Sequence, residues 1–154
     1  MHLHIVRHAH ALDAEEDAAR PLSKRGWKQV HALGKFLRAA AALPVREIWH
    51  SPLLRARETA QGLAGEMKLD APLREVDGLR SEDDPRIIAA RIEALREPVA
   101  IVGHEPHLSA LVTFLVTGAT EPPAIVLKKC AALRLDRVDS GWALRWHVAP
   151  ELLG

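Results

Sequence analysis

Three short apolar runs, residues 3–7, 45–50 and 99–103, are too short for helices and carry the β-branched side chains of buried strands. Each is followed along the chain by a helical pattern. This alternation constrains the fold more than any other feature, because parallel strands must be joined by crossovers and a helix is the usual crossover. Trp27, Val30, Leu33, Leu37 and Ala41 recur at helical spacing after Ser23, a residue suited to N-capping, and Pro44 stops the pattern. Ser51-Pro52 reads as an N-cap with proline at the first helical position, opening a helix that runs to about Met67. Asp84-Pro85 opens a third helix that turns Ile88, Ile92 and Leu95 inward, and Leu108, Leu111, Val112 and Leu115 mark a fourth. Between them, residues 68–83 read as a loop with one short extended piece. Beyond Pro122-Pro123, residues 124–127 and 131–137 read as extended. Asp139-Ser140-Gly141 then turns into Trp142, Leu144, Trp146 and Val148, whose alternation with polar partners predicts a hairpin. The expected fold is a three-layer α/β/α sandwich, its sheet mostly parallel with an antiparallel edge strand or hairpin.

Composition narrows the class. At 154 residues the chain is expected to form a single domain that buries roughly 70% of its unfolded surface without a disulfide or structural metal. The one cysteine, Cys130, has no internal partner, which fits a reducing compartment. With 21 Lys and Arg against 20 Asp and Glu, mixed in sign along the chain, there is no nucleic-acid footprint. No apolar run approaches the roughly 18 residues of a membrane span, and residues 1–10 lack the core of a signal peptide, so a cytoplasmic protein is expected. Nine histidines stand against four Trp, two Phe and no Tyr, which makes His the commonest ring-bearing side chain.

In sheets of this kind ligands bind beyond the carboxyl ends of the strands. There the sequence places Arg7-His8, Ser51 with Arg55 on the next helical turn, and Gly103-His104. Arginine offers a planar, permanently charged fork suited to phosphate oxygens, and helix N-termini add N–H donors. A neutral histidine is a nucleophile and a second histidine can supply a proton. Two arginines and two histidines at one sheet edge are therefore the parts for phosphoryl transfer through a phosphohistidine.

Arg7-His8, the segment from Ser51 through Arg55 to Thr59-Ala60, and Gly103-His104-Glu105-Pro106 resemble, in order and spacing, the three signatures of the histidine phosphatase superfamily. The resemblance covers residues 3 to about 116. It implies that His8 takes the phosphoryl group, that Arg7, Arg55 and His104 bind its oxygens, and that no metal or cofactor is needed. The short length, the stretch around Asp13 and Arg20-Pro21-Leu22-Ser23, and the sparse middle are most similar to the small SixA-type phosphohistidine phosphatase branch. Residues 60–98 leave no segment for a capping insertion. An open site of that kind suits a phosphorylated protein, such as a histidine-containing phosphotransfer domain, better than an enclosed metabolite. Two positions depart from the family pattern: Ala9 stands where glycine is usual and His10 where an acid is common. Glu75 occupies the place of the proton donor in many relatives, with His104, His10 or water as other sources. A phosphatase for small phosphate esters and a phosphate-binding module without turnover are the alternatives.

Other polar residues read more plainly. Arg57 points away from the Arg55–Thr59 face and is expected at the surface. Ser51 is expected mainly to cap its helix, with a contact to phosphate as a second role. His2 and His4 share one strand face but lack a third metal ligand, and His31, His50 and His147 are expected to be structural or exposed. His107 lies one turn past His104, within reach of the site. Lys128-Lys129 reads as a solvated pair, with docking of an acidic partner as the other reading. Residues 13–17, four acids in five, read as a solvated loop.

Overall fold

The computed structural model describes residues 1–154. Six strands form one sheet: β1 (His2–Arg7), β2 (Glu47–His50), β3 (Leu73–Glu75), β4 (Val99–Gly103), β5 (Ala132–Val138) and β6 (Gly141–Val148). Their order is β3-β2-β4-β1-β5-β6. The first four run parallel, and β5 and β6 are added antiparallel as a hairpin beside β1. Four helices complete the chain: α1 (Lys24–Ala39), α2 (Leu54–Met67), α3 (Pro85–Glu93) and α4 (His107–Thr117).

The period of two along the central strands sets the layers. In β1 and β4, Leu3, Ile5, Val99 and Ile101 face one core with Ile88 and Ile92 of α3 and Leu108, Leu111 and Leu115 of α4. Val6, Ala100 and Val102 face the other, with Val30, Leu33 and Leu37 of α1 and Ala56, Ala60 and Leu63 of α2. This is the expected three-layer sandwich. The chain moves outward from β1 to β2 and β3, then returns to place β4 between β2 and β1. The crevice opens where that direction reverses, at the carboxyl ends of β1 and β4.

Local boundaries differ from expectation in four places. Helix α1 stops at Ala39, short of Pro44, because Ala41 takes a left-handed backbone (φ 49°) while the Ala42 N–H closes a 2.9 Å bond to the Leu37 carbonyl. Trp27, expected inward, is 42% exposed and lies across α2 at Gly62, where a Cβ would stand 2.9 Å from the indole. Ser51 is not the cap of α2. Leu53 holds the extended N-cap conformation, and the Ser51 hydroxyl has another partner. Finally, residues 124–127 form no strand, since the Leu127 backbone bonds to side chains and not to a ladder.

Candidate active site

Arg7 ends β1, and His8 is pinned just beyond it: its N–H donates to the Gly103 carbonyl (2.9 Å) and its own carbonyl accepts from the Cys130 N–H (3.1 Å). In the side chain, Nδ1 lies 2.7 Å from the Ala9 carbonyl oxygen. A carbonyl only accepts, so Nδ1 carries the hydrogen and the lone pair sits on Nε2, which has no hydrogen bond. Burial pushes the His8 pKa down to about 4, with the Ala9 carbonyl opposing and the charges of Arg55, Arg7 and Lys129 adding to the fall. At neutral pH the ring is an uncharged nucleophile.

His104 follows β4, its ring centroid 5.0 Å from that of His8. Burial, then the neighbouring His8 and Arg55, push its pKa down to about 3. Its Nε2 shares a 2.5 Å hydrogen bond with the Ser51 hydroxyl, which also accepts from the Leu53 N–H at 3.3 Å. The serine thus couples the end of β2 to the end of β4.

The two arginines are held by different partners. Arg7 Nη1 donates to the Leu127 carbonyl (2.8 Å). Glu105 fixes that loop, accepting from the Leu127 N–H (3.3 Å) and from the backbone and hydroxyl of Ser109. Arg55 is 7% exposed, and its Nη1 and Nη2 donate to the carbonyl (2.9 Å) and carboxylate (3.2 Å) of Asp17. Both guanidinium groups keep further N–H donors unpaired, including Nε in each. Thr59 joins the segments, accepting from the Ala9 N–H (3.0 Å) and donating to the Arg55 carbonyl (2.7 Å).

The structure therefore brings Arg7, His8, Ser51, Arg55 and His104 together at one sheet edge. Ala9 fits there without strain. It is fully buried in the core of Val6 and Ala56, and its φ is not positive. The His10 ring is turned to Ser23, with Nδ1 2.6 Å from the hydroxyl that caps α1. Glu75 ends β3 opposite His50, exposed and free of hydrogen bonds and ion pairs. His107 is buried on the α3–α4 side with both ring nitrogens unpartnered. Arg57 is exposed, as its helical phase requires. Two residues were missed by sequence reasoning. Asp17, placed in a solvated loop, forms a short 3-10 turn (Asp17–Ala19) and lies on Arg55, and Glu105 braces Arg7 through Leu127. The fixed Gly-His-Glu order was the only signal for Glu105, and nothing local singles out Asp17 from its acidic neighbours. No three His, Cys, Asp or Glu side chains stand together as a metal-binding group.

A neutral imidazole beside two cationic forks and a second histidine can accept a phosphoryl group and stabilise the charge of its transfer. Comparison with known proteins agrees with that chemistry. Residues 3–91 match the model of the histidine phosphatase superfamily (branch 1). Among solved structures, the protein histidine phosphatase SixA complexed with tungstate superposes with a TM-score of 0.91 at 25% identity, over 100% of both chains. A SixA from Agrobacterium tumefaciens gives 0.81 at 21% identity over 97% of both, and an Escherichia coli protein described as an alpha-ribazole-5'-P phosphatase gives 0.75 at 17% over 94% of both. The last two likenesses show the fold alone. No curated protein matches the sequence.

Proposed function

This chain belongs to the histidine phosphatase superfamily, and from that premise we propose that it is a metal-independent phosphatase acting on phosphohistidine in a protein partner. His8 Nε2 attacks phosphorus. An N–P bond forms to His8 as the bond to the leaving imidazole breaks, and Arg7, Arg55 and His104 hold the non-bridging oxygens. The leaving nitrogen takes a proton from water or from Glu75 at the end of β3, since burial leaves His104 without a charge to give and the His10 ring is turned to Ser23. Water then hydrolyses the phosphoenzyme, releasing phosphate and returning His8 neutral.

The observation that carries this reading is the state of His8, neutral with its Nδ1–H tied to Ala9 and its Nε2 unbonded, beside the Arg7 and Arg55 charges. Two features support a protein substrate. Residues 68–98 hold only β3, α3 and their connections, so no insertion covers the site, and the tungstate-bound relative is a protein histidine phosphatase. The test sets a phosphorylated histidine-containing phosphotransfer domain against a panel of small phosphate esters. A large kcat/KM advantage for the phosphoprotein is expected, unchanged by EDTA and abolished by vanadate, with an acid-labile phosphoenzyme trapped in quenched reactions. His8→Ala should keep its fold and lose about 10³-fold or more in turnover. Normal turnover in that variant would refute the mechanism, and an advantage for an ester would refute the substrate.

A further inference from the structure

Beside the site lies a groove of about 590 Å³ that shares Arg7 with it, passes His10 and runs between α1 and the chain preceding β5. Its lining holds five cationic side chains, Arg7, Arg25, Lys28, Lys128 and Lys129, and one carboxylate side chain, Glu151. Of the five only Lys128 is in an ion pair, 2.9 Å from Glu151. Arg25, Lys28 and Lys129 make no ion pair. Arg25 and Lys28, three apart on α1, are exposed on one helix face, whereas Lys129 is half-buried with Arg7, Arg20, Arg25 and Arg55 around it. Burial first, and then those four arginines, lower the Lys129 pKa, which marks the groove as a region of unneutralised positive potential. Several exposed cations elsewhere are paired, Arg46 with Glu97, Arg74 with Glu47, Arg86 with Asp84 and Arg145 with Asp136, and what sets the groove apart is that its unpaired cations line one cleft beside the phosphate pocket. The overall charge of +1 hides this concentration.

We infer that this groove is a docking surface for the acidic flank of a phosphorylated protein, with Arg25, Lys28 and Lys129 meeting its Asp and Glu side chains while the phosphoryl group reaches His8. The inference rests on the proposed phosphoprotein substrate and adds to it a specificity surface outside the phosphate pocket. Fixed charges of one sign around a cleft attract a partner of the other sign and raise its rate of productive encounter, an effect that falls with ionic strength. A small ester, fully engaged by Arg7, Arg55 and His104, would not extend along the groove and would not sense its far wall.

The test uses Arg25→Glu with Lys28→Glu, two exposed positions on α1, and one protein bearing phosphohistidine with its flanking Asp and Glu intact or replaced by Asn and Gln. At low salt the double variant should lose about tenfold or more in kcat/KM on the acidic phosphoprotein, mainly through KM, and the loss should shrink at high salt. Hydrolysis of p-nitrophenyl phosphate should be unchanged, and the neutralised phosphoprotein should barely distinguish the two enzymes. Equal loss on the ester, or no loss on the phosphoprotein, overturns the docking surface. If the wild-type protein hydrolyses the ester but leaves the phosphoprotein intact, the substrate proposal falls and the docking surface with it. If the wild type acts on the phosphoprotein and the variant matches it, only the docking surface falls.

Discussion

Ser51 shows how one side chain can be more tightly specified than its commonest role requires. A serine before proline is suited to capping a helix, yet here the hydroxyl is fully buried, 2.5 Å from His104 Nε2, and reaches the Leu53 N–H only at 3.3 Å. The histidine is the stronger partner, and its ring orientation beside His8 depends on that bond because its other nitrogen is buried without one. Ser51→Ala should therefore act on catalysis more than on the helix. Loss of one buried hydrogen bond costs about 1–2 kcal/mol of stability, while a misdirected ring at the reacting centre costs about tenfold to a hundredfold in kcat. Urea unfolding and steady-state kinetics on the same variant check both. A fall in stability with kcat intact would make Ser51 a structural residue only.

At the scale of elements, the approach of α1 to the site is fixed by a glycine. The Gly26 backbone passes so close to His10 that an added Cβ would stand 2.0 Å from the His10 carbonyl oxygen, itself the acceptor of the Ser23 N–H at 3.0 Å. That oxygen belongs to backbone and cannot swing away. Gly26→Ala should cost at least about 2 kcal/mol in urea unfolding and lower turnover, because the segment that shifts begins two residues beyond His8. A variant as stable as the wild type would show that the α1 N-terminus can move without penalty. The same stretch shows what the sequence made legible. The strand ends carrying Arg7, His8 and His104, the Ser23 cap and the Arg55–Thr59 face follow from local periodicity, because period and capping are short-range properties. The hold of Asp17 on Arg55 spans 38 positions, and the hydrogen bond from Ser51 to His104 spans 53. In both, a local pattern pointed to an ordinary role and a tertiary partner replaced it. The extended pattern of residues 124–127 yields no strand for the same reason, since Leu127 gives its backbone groups to Arg7 and Glu105.

For the whole molecule, the histidines buried neutral set the acid limit of the fold. Burial, foremost, lowers His4 and His8 to about 4 and His104 to about 3. Each keeps its ordinary value near 6.5 in the unfolded chain, which therefore binds more protons than the native state below that pH. Stability is full above about pH 6.5 and falls as pH drops through the window from 6.5 to 4, with His104 extending the loss toward 3. The paired carboxylates act lower: Asp17 and Asp136, held below the ordinary carboxylate range by their arginine and histidine partners against the opposing pull of burial, lose their contributions only as they protonate, and Asp17 is too exposed to weigh heavily. Three buried rings at about 2 kcal/mol each by pH 5 are a large part of the 5–15 kcal/mol that holds a domain together. His4 separates this effect from catalysis. It is fully buried in β1 beside Trp146, with Arg134 and His2 also lowering its pKa and Asp136 opposing them; the Ala42 carbonyl opposes too, without reaching hydrogen-bond geometry. His4→Leu removes one titrating ring and leaves the Arg7, His8, Arg55 and His104 cluster untouched. Urea midpoints at pH 7.5 and pH 5 should show the wild type losing several kcal/mol between them and the variant losing about 2 kcal/mol less. An identical loss in both proteins would mean that His4 protonates in the folded state as readily as in the unfolded chain, and that its burial does not limit the fold in acid.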